Sequence, residues 1–582
     1  MKLNLFMLGA AVAVGMTCNA AITKTLVPAE RVVWVSDNTG RYVANPGVLT
    51  DDFCGQVSVA GTKYTTMRSD STHTAAVLLD FGRELHGGIK LTAAMRQSQT
   101  PVKLRVRFGE SVTEAMYDMH QPGNPLSGTN DHAVRDFTVL APWIGSVECG
   151  NSGFRFVRID LLDNDTDFTL QNVSATSLIR DDKEVGSFQS SNQRLNDVWN
   201  TGAYTVKLNM QDYLWDGIKR DRLVWVGDMH PEVLTISNVW GAHEVVPKSL
   251  DFAVADTPLP GWMNGMCSYS LWWVIIQRDL YMHTGDLDYL KSHAKYINGL
   301  VKQIAACVGD DGVERLDGAG RFLDWPTSEM PDVVHCGLQS MMLMTMEAAS
   351  QIGEWIGDKE TKSVADACLK RMDGVSIDNC GNSQAAALAV ISGQSKDVAA
   401  DCDLIIKNGP EGFSTFYGYY MLEALAKGGR YKEAMDLISK YWGAMLDLGA
   451  TTFWEDMTYS DVANAGRIDE IVPADRYDIH SGGGAYCYTG LCLSLCHGWA
   501  SGPTSWLTRH VLGVKPLEPG CRTIEVAPNL GDLASVEGSF PTPLGAVKIS
   551  AKRNAKGGVD CKVDAPKGIK VVKKPGTLLA MN

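Results

Sequence analysis

The feature that most limits the fold of this chain is a double change of hydrophobic period. From about residue 22 to 185, β-formers alternate or cluster between Gly, Asn and Asp turns, as in Arg31-Val-Val-Trp-Val-Ser36, Val102-Lys-Leu-Arg-Val-Arg-Phe108 and Phe154-Arg-Phe-Val-Arg-Ile-Asp-Leu161. Around Ser187 the period becomes helical, with apolar or aromatic faces over 195–214, 269–283, 287–308, 338–356, 385–391, 416–427, 431–441 and 485–497. After about residue 509 strands return, in 522–527 and 545–553. Helices that follow one another without intervening strands exclude a parallel α/β fold and point to a helical bundle or a closed double ring of helices. The expected organisation is an N-terminal β-sandwich over 21–185, a helical domain over 186–508 and a small C-terminal β-domain over 509–582.

Residues 1–20 begin Met-Lys, run through an apolar stretch and reach Cys18-Asn19-Ala20, the form of a secretory signal cleaved after Ala20. Cys18 also offers a weaker match to a lipid-acylation site. No later apolar run is long enough to span a membrane, so the expected product is exported, periplasmic or secreted. A formal charge of −14 argues against a nucleic-acid backbone as partner and leaves a neutral or modestly charged small molecule or glycan. Thirteen of the 14 cysteines lie beyond Cys18 without any CxxC spacing. They are expected as buried free thiols, among them Cys487, Cys492 and Cys496, with His497 too isolated to complete a metal set.

The chemistry concentrates in Asp216-Gly-Ile-Lys-Arg-Asp-Arg-Leu-Val-Trp-Val-Gly-Asp228, continued by Met-His-Pro-Glu232. Gly217, Gly227 and Pro231 speak against a continuous helix, so the segment is expected as a loop at the rim of the helical domain. Its acids and bases could simply neutralise one another in solvent. Trp225 weighs against that, because an indole among charges needs an apolar partner, and the C–H face of a sugar is one. Downstream, Ala450-Thr-Thr-Phe-Trp-Glu455-Asp456 sets a second carboxylate beside a tryptophan, and Asp324-Trp325 repeats the pairing. Two opposed carboxyl groups and flat apolar walls are what glycoside hydrolysis requires.

The spacing of Asp216, Arg220, Asp221 and Arg222-x-x-Trp225-x-Gly-Asp228 resembles the active-site signature of the bacterial α-L-rhamnosidases of glycoside hydrolase family 78. Asp80-Phe-Gly-Arg-Glu-Leu-His-Gly-Gly88 resembles that family's β-domain motif, 450–455 its general-base motif, and 513–545 its C-terminal sheet. The resemblance implies an (α/α)6 barrel between β-domains and inverting, exo-acting hydrolysis, with Asp221 as general acid and Glu455 as general base. It implies that Asp216, Arg220, Trp225 and Asp228 hold the deoxysugar, with Trp262, Asp324, Trp325 and His480 as further pocket members. No cofactor or metal is expected, and the partner is a rhamnose-containing oligosaccharide or polysaccharide. Three departures stand out. Asp221 replaces the usual glutamate, Asn264 stands where an aspartate is common, and the chain is short for the family, so extra carbohydrate-binding modules are not expected. Glu232 and Glu329 are alternative acids. A rhamnosyl-glucuronate lyase drawing on Lys219, Arg222, His230 and His480, or a glycan-binding protein without turnover, would keep the same pocket.

Overall fold

The structure, a computed structural model, describes residues 21–52, 55–60, 63–118, 135–316, 320–484, 489–573 and 578–581. The expected signal segment, Cys18 and Cys487 therefore lie outside the described residues. Among the described residues no helix is long and apolar enough to cross a membrane.

Residues 22–180 form a nine-stranded antiparallel sheet whose long strands Ala76–Ala93, Gly145–Leu161 and Thr166–Arg180 carry the others. Register shifts at 80/85 and 87/89 bend the first of these, so one strand serves both halves of a β-sandwich. Leu79, Ile89, Phe108, Phe154 and Phe168 fill its core. A short helix, α1 (Val112–Met116), closes the turn after Val102–Gly109.

The helical domain is a closed double ring. Its outer helices are α2 (Gln193–Asn209), α4 (Val245–Asp256), α7 (Ala294–Ala306) with the short α6 (Leu287–Ser292) before it, α9 (Lys359–Met372), α11 (Val398–Asn408) and α13 (Tyr431–Asp447). The inner ones are α3 (Val226–Val239), α5 (Cys267–Thr284), α8 (Pro331–Ile356), α10 (Ser383–Ser392), α12 (Gly418–Lys427) and α14 (Gly502–Trp506), the last continued by a π turn to Leu512. Each inner helix packs on the next, and α14 returns to α3. Sequence dictates the layer. In α7 the buried Ile297, Leu300, Val301, Ile304 and Ala305 form one stripe, as an outer helix needs. In α3 every residue is buried. The expected (α/α)6 barrel is therefore present.

Connections at one end of the ring are short, as at Gly357-Asp358 between α8 and α9 and Gly285-Asp286 after α5. Those entering the inner helices are long, and 210–225, 257–266, 307–330, 409–417 and 448–501 all gather at the other end. That end can hold a site. The sheet domain docks on it through the Asp80 motif. Arg155 pairs with Asp80 at 2.8 Å and donates to the Gly449 carbonyl, while Glu84 receives Tyr204 Oη on its carbonyl and donates its N–H to Thr451 Oγ1.

The C-terminal strands form a five-stranded sheet and a three-stranded one. Ser187–Ser190, inside the segment assigned above to the helical domain, is an edge strand of the former, pairing Ser187 with Ser539 and Ser190 with Val536. The barrel and these sheets share one continuous core.

Two segments differ from expectation. The loop expected through 216–232 ends at Trp225, and Gly227 and Pro231 lie inside α3. Pro231 falls in the second turn, where its missing N–H removes a single helical bond, and complete burial of the helix outweighs that loss. The helix expected over 485–497 is absent among the described residues 489–497, which hold only the 3-10 turn Gly490–Cys492. Their backbone groups bond elsewhere. The Leu491 and Leu493 carbonyls accept from Lys219, Cys492 O accepts from Arg220, and the N–H groups of Ser494 and Leu495 donate to Glu455 and Glu110.

Candidate active site

The loop before α3 is folded around Asp216. Asp216 Oδ1 accepts the Leu223 N–H at 2.9 Å, its own N–H donates to the Leu223 carbonyl at 3.2 Å, and its carbonyl accepts from Gly498 N at 2.8 Å. The turn this encloses holds Asp221 and Arg222 in the left-handed region, at φ 53° and 55°. Two consecutive non-glycine residues there cost of order 1–3 kcal/mol each, and such strain persists only where the surroundings fix it. Asn264 fixes the exit of the loop, accepting the Val226 N–H at 3.0 Å and donating to the Val224 carbonyl at 3.1 Å. An aspartate could make only the first of these bonds, which accounts for the amide at this position.

Arg220 brings the two catalytic candidates together. Its guanidinium contacts Asp221 Oδ1 at 3.1 Å through one terminal nitrogen and pairs with Glu455 Oε2 through the other, while Nε donates to the Cys492 carbonyl at 2.8 Å. Glu455 also accepts the Ser494 N–H at 3.1 Å, and its carbonyl accepts from Trp499 Nε1 at 2.9 Å. The Asp221 side chain is 20 % exposed and that of Glu455 2 %.

Asp221 and Glu455 line a cavity of about 180 Å³ together with Asp216, Trp225, Asp228 and Trp325. Met266, Tyr269, His497 and Trp499 complete its wall. Asp228 stands in the first turn of α3, with Oδ2 3.1 Å from His497 Nε2 and Oδ1 3.4 Å from the Tyr269 hydroxyl. Trp225 meets Tyr269 edge-on, and Trp499 stacks on Phe416 at 4.9 Å. Burial drives Asp216 and Asp228 above the usual carboxylate range, the neighbouring carboxylates adding to the effect on Asp216 and His497 opposing it at both. Burial works against a charged His497, yet Glu455, Asp228 and Asp216 outweigh it and hold the imidazole above its usual range.

Six of the ten expected site residues thus line one cavity. Arg220 lies behind it, bridging its carboxylates. Asp324 sits behind Trp325, whose N–H it accepts at 2.8 Å, and is tied to Ser414 and Gln384. Trp262 leads into the 3-10 turn Met263–Gly265 and packs on the barrel core. His480 is a correction. It is fully buried away from the cavity, with Nδ1 2.7 Å from Ser111 Oγ and Nε2 donating to the Leu493 carbonyl. Its place in the pocket is taken by His497. Neither alternative acid lines the cavity: Glu329 is exposed on the loop before α8, and Glu232 is buried one turn below Asp228, with burial pushing its carboxyl well above the usual range. The basic groups that elimination would need also lie outside. Lys219 and His480 are buried together, Arg222 donates to the Asn151 carbonyl, and His230 lies between Tyr420 and Asp279.

Sequence reasoning passed over Met266, Tyr269, His497 and Trp499. The first two lead into or lie on an apolar helix, His497 ends the run expected as a helix over 485–497, and Trp499 lies just past it. The signal that could have found them is Gly498 and Gly502 bracketing Trp499 just after His497.

The model of the bacterial alpha-L-rhamnosidase six-hairpin glycosidase domain matches residues 183–370, and that of the bacterial alpha-L-rhamnosidase C-terminal domain matches 513–572. An alpha-L-rhamnosidase of Alteromonas sp. (strain LOR) is 23% identical over 535 residues, covering 84% of this chain and 54% of the relative. The chain thus spans about half the length of that curated relative. Among solved structures, the GH78 family rhamnosidase of Bacillus sp. GL1 superposes with a TM-score of 0.71 at 21% identity, over 92% of this chain and 57% of that one. A rhamnosidase from Klebsiella oxytoca with rhamnose bound gives 0.65 at 19% identity, over 84% of this chain and 96% of that one.

Proposed function

Because the chain belongs to the bacterial α-L-rhamnosidases of glycoside hydrolase family 78, we propose that it removes terminal α-L-rhamnosyl residues from a glycan or glycoconjugate by inverting hydrolysis. One observation carries this: two carboxylates from segments far apart in sequence line a single indole-walled cavity and contact the same guanidinium. Their environments differ, one side chain being buried and the other partly open to solvent. Glu455, buried against Arg220 and receiving the Ser494 N–H, is placed to take a proton from water. Asp221, partly exposed, is placed to give a proton to the leaving oxygen. Asp216 and Asp228 present oxygens to the sugar hydroxyls, and Trp225, Trp325 and Trp499 cover its apolar faces. No step calls for a cofactor. The apolar, lysine-led segment 1–20 supports export, so the substrate is expected outside the cytoplasm.

The test is NMR of the purified protein with a panel of α-L-rhamnosyl oligosaccharides. Early release of β-L-rhamnose supports inversion. Early α-L-rhamnose excludes it, and an unsaturated uronate signal replaces hydrolysis with elimination.

A further inference from the structure

Below the catalytic loop, where it meets the sheet domain, lies a second buried charged cluster. The Lys219 side chain, 2 % exposed, points away from the cavity. Its ammonium donates to the Leu491 and Leu493 carbonyls at 2.8 and 2.7 Å and stands 3.1 Å from Glu110 Oε2 and 3.4 Å from Glu114 Oε1. Both glutamates come from the turn that carries α1 in the sheet domain, and both are completely buried. They are fixed in turn. Glu110 Oε2 accepts the Leu495 N–H at 2.6 Å, Glu114 Oε2 accepts the Glu110 N–H, and Arg135 stands 3.5 Å from Glu114 Oε1. His480 joins through Ser111 Oγ, which takes the Glu114 N–H at 3.0 Å.

Glu110, Glu114 and His480 offer ligand atoms within 4.8 Å of one another, a spacing that could hold a metal ion, and the Lys219 ammonium already stands between the two carboxylates. The cation there belongs to the catalytic loop itself. Burial disfavours a charged lysine, but Glu110 and Glu114 outweigh it and hold the ammonium above the usual lysine range. Backbone contacts continue the grip: Gly153 N donates to the Ile218 carbonyl at 3.0 Å, and a Cβ on Gly153 would lie 2.9 Å from Lys219 N.

We propose that Lys219 is a positioning residue, a buried cation through which the sheet domain and the Leu491 and Leu493 carbonyls hold the loop so that Asp221 faces the cavity with Arg220 behind it. It touches neither substrate nor reacting atoms. It sets the origin of the left-handed Asp221-Arg222 turn that the Asp216–Leu223 bonds close. For the role of Asp221 this rests on the hydrolase reading above. The sheet domain is then part of the catalytic apparatus.

The test is the double variant Lys219→Met/Glu110→Gln, which removes one charge of each sign and leaves Glu114 with Arg135, read beside Glu110→Gln alone. In both, hydrogen–deuterium exchange is followed in peptides covering 216–225 and α3, and kcat and KM are measured on an aryl α-L-rhamnoside. The double variant is expected to speed loop exchange by at least about tenfold with α3 unchanged. Its kcat should fall about tenfold or more while KM stays within about twofold, because Asp228, Tyr269, His497 and Trp499 are held by other elements. Glu110→Gln alone should move the same loop peptide by a smaller factor. Unchanged loop exchange in both variants overturns the proposal, as does a rise shared equally by α3. If the unaltered protein cleaves no α-L-rhamnoside, the hydrolase reading falls, and the exchange data still decide the role of Lys219.

Discussion

Gly227→Ala sets two effects of known size against each other at the cavity wall. Gly227 lies in the first turn of α3, and a Cβ built there would sit 2.3, 2.6 and 2.7 Å from Cε1, Cζ and Cδ1 of Tyr269. Carbon atoms in contact rest about 3.5–4.0 Å apart, so the ring must retreat by more than about 1 Å. It has little room to do so. Tyr269 is buried on α5, meets Trp225 and Phe322 edge-on at 6.1 and 6.3 Å, and keeps its hydroxyl near Asp228. Alanine improves helix propensity by at most about 1 kcal/mol, and less in a first turn. Overpacking a core of this density costs about 1–3 kcal/mol. The clash wins, and the variant is expected to lose about 1–2 kcal/mol, read as a lower urea midpoint at unchanged m value. Displacement of the wall beside Asp228 should also lower kcat/KM on an aryl α-L-rhamnoside by about tenfold or more. Truncating the ring tests the cause. In the alanine background Tyr269→Leu should cost less than in the parent, with a coupling of at least about 0.5 kcal/mol. A Gly227→Ala protein more stable than the parent, or a coupling of zero, would refute the packing argument.

Arg220→Met leaves Glu455 buried without its guanidinium and should cost about 3–5 kcal/mol in urea unfolding, of which Glu455→Gln in the same chain should restore a substantial part. Asp324, buried behind Trp325, has its carboxyl raised from 3.8 to about 6 by burial, so between those values the folded chain keeps a proton that the unfolded chain has released. Stability should therefore fall as pH rises from about 4 to 6, by up to about 3 kcal/mol from this group. Asp324→Asn should remove that slope in urea titrations at a series of pH values. Asn264→Asp restores the residue common in the family but removes the bond to the Val224 carbonyl, and should cost about 1–2 kcal/mol in the same assay. No loss there would mean that the amide is not what secures the loop.

How much of this was legible depended on whether a residue's role is local. The stripe of α7 is a local pattern and marks an outer helix without reference to anything else. Helix α3 was hidden because Gly227 and Pro231 punctuate it, and only its complete burial and the Tyr269 ring pressed on Gly227 explain why punctuation did not end it. The run 485–497 misled in the opposite direction. Its leucines and cysteines suit a helix, but its described backbone serves distant charges through bonds such as Lys219 Nζ to Leu491 O. Asp216, Asp221, Trp225, Asp228, Trp325 and Glu455 fall in segments marked by acids near indoles, and the family resemblance singled them out individually. His480 was expected in the pocket and His497 was not, and the structure separates them through Ser111 in the sheet domain and Asp228 in the barrel.

The charge of the cavity bears on what it can accept. Four carboxylates line it, and the cations that face them are Arg220, engaged by Asp221 and Glu455, and His497, engaged by Asp228. Burial raises Asp216 and Asp228 above the usual carboxylate range. An uncharged ligand adds no charge to this wall. A uronate would add a fifth carboxylate to a desolvated space whose two cations are already taken, with Lys219, Arg222, His230 and His480 all committed elsewhere. On the hydrolase reading proposed above, a neutral terminal unit is the ligand for which this cavity costs least.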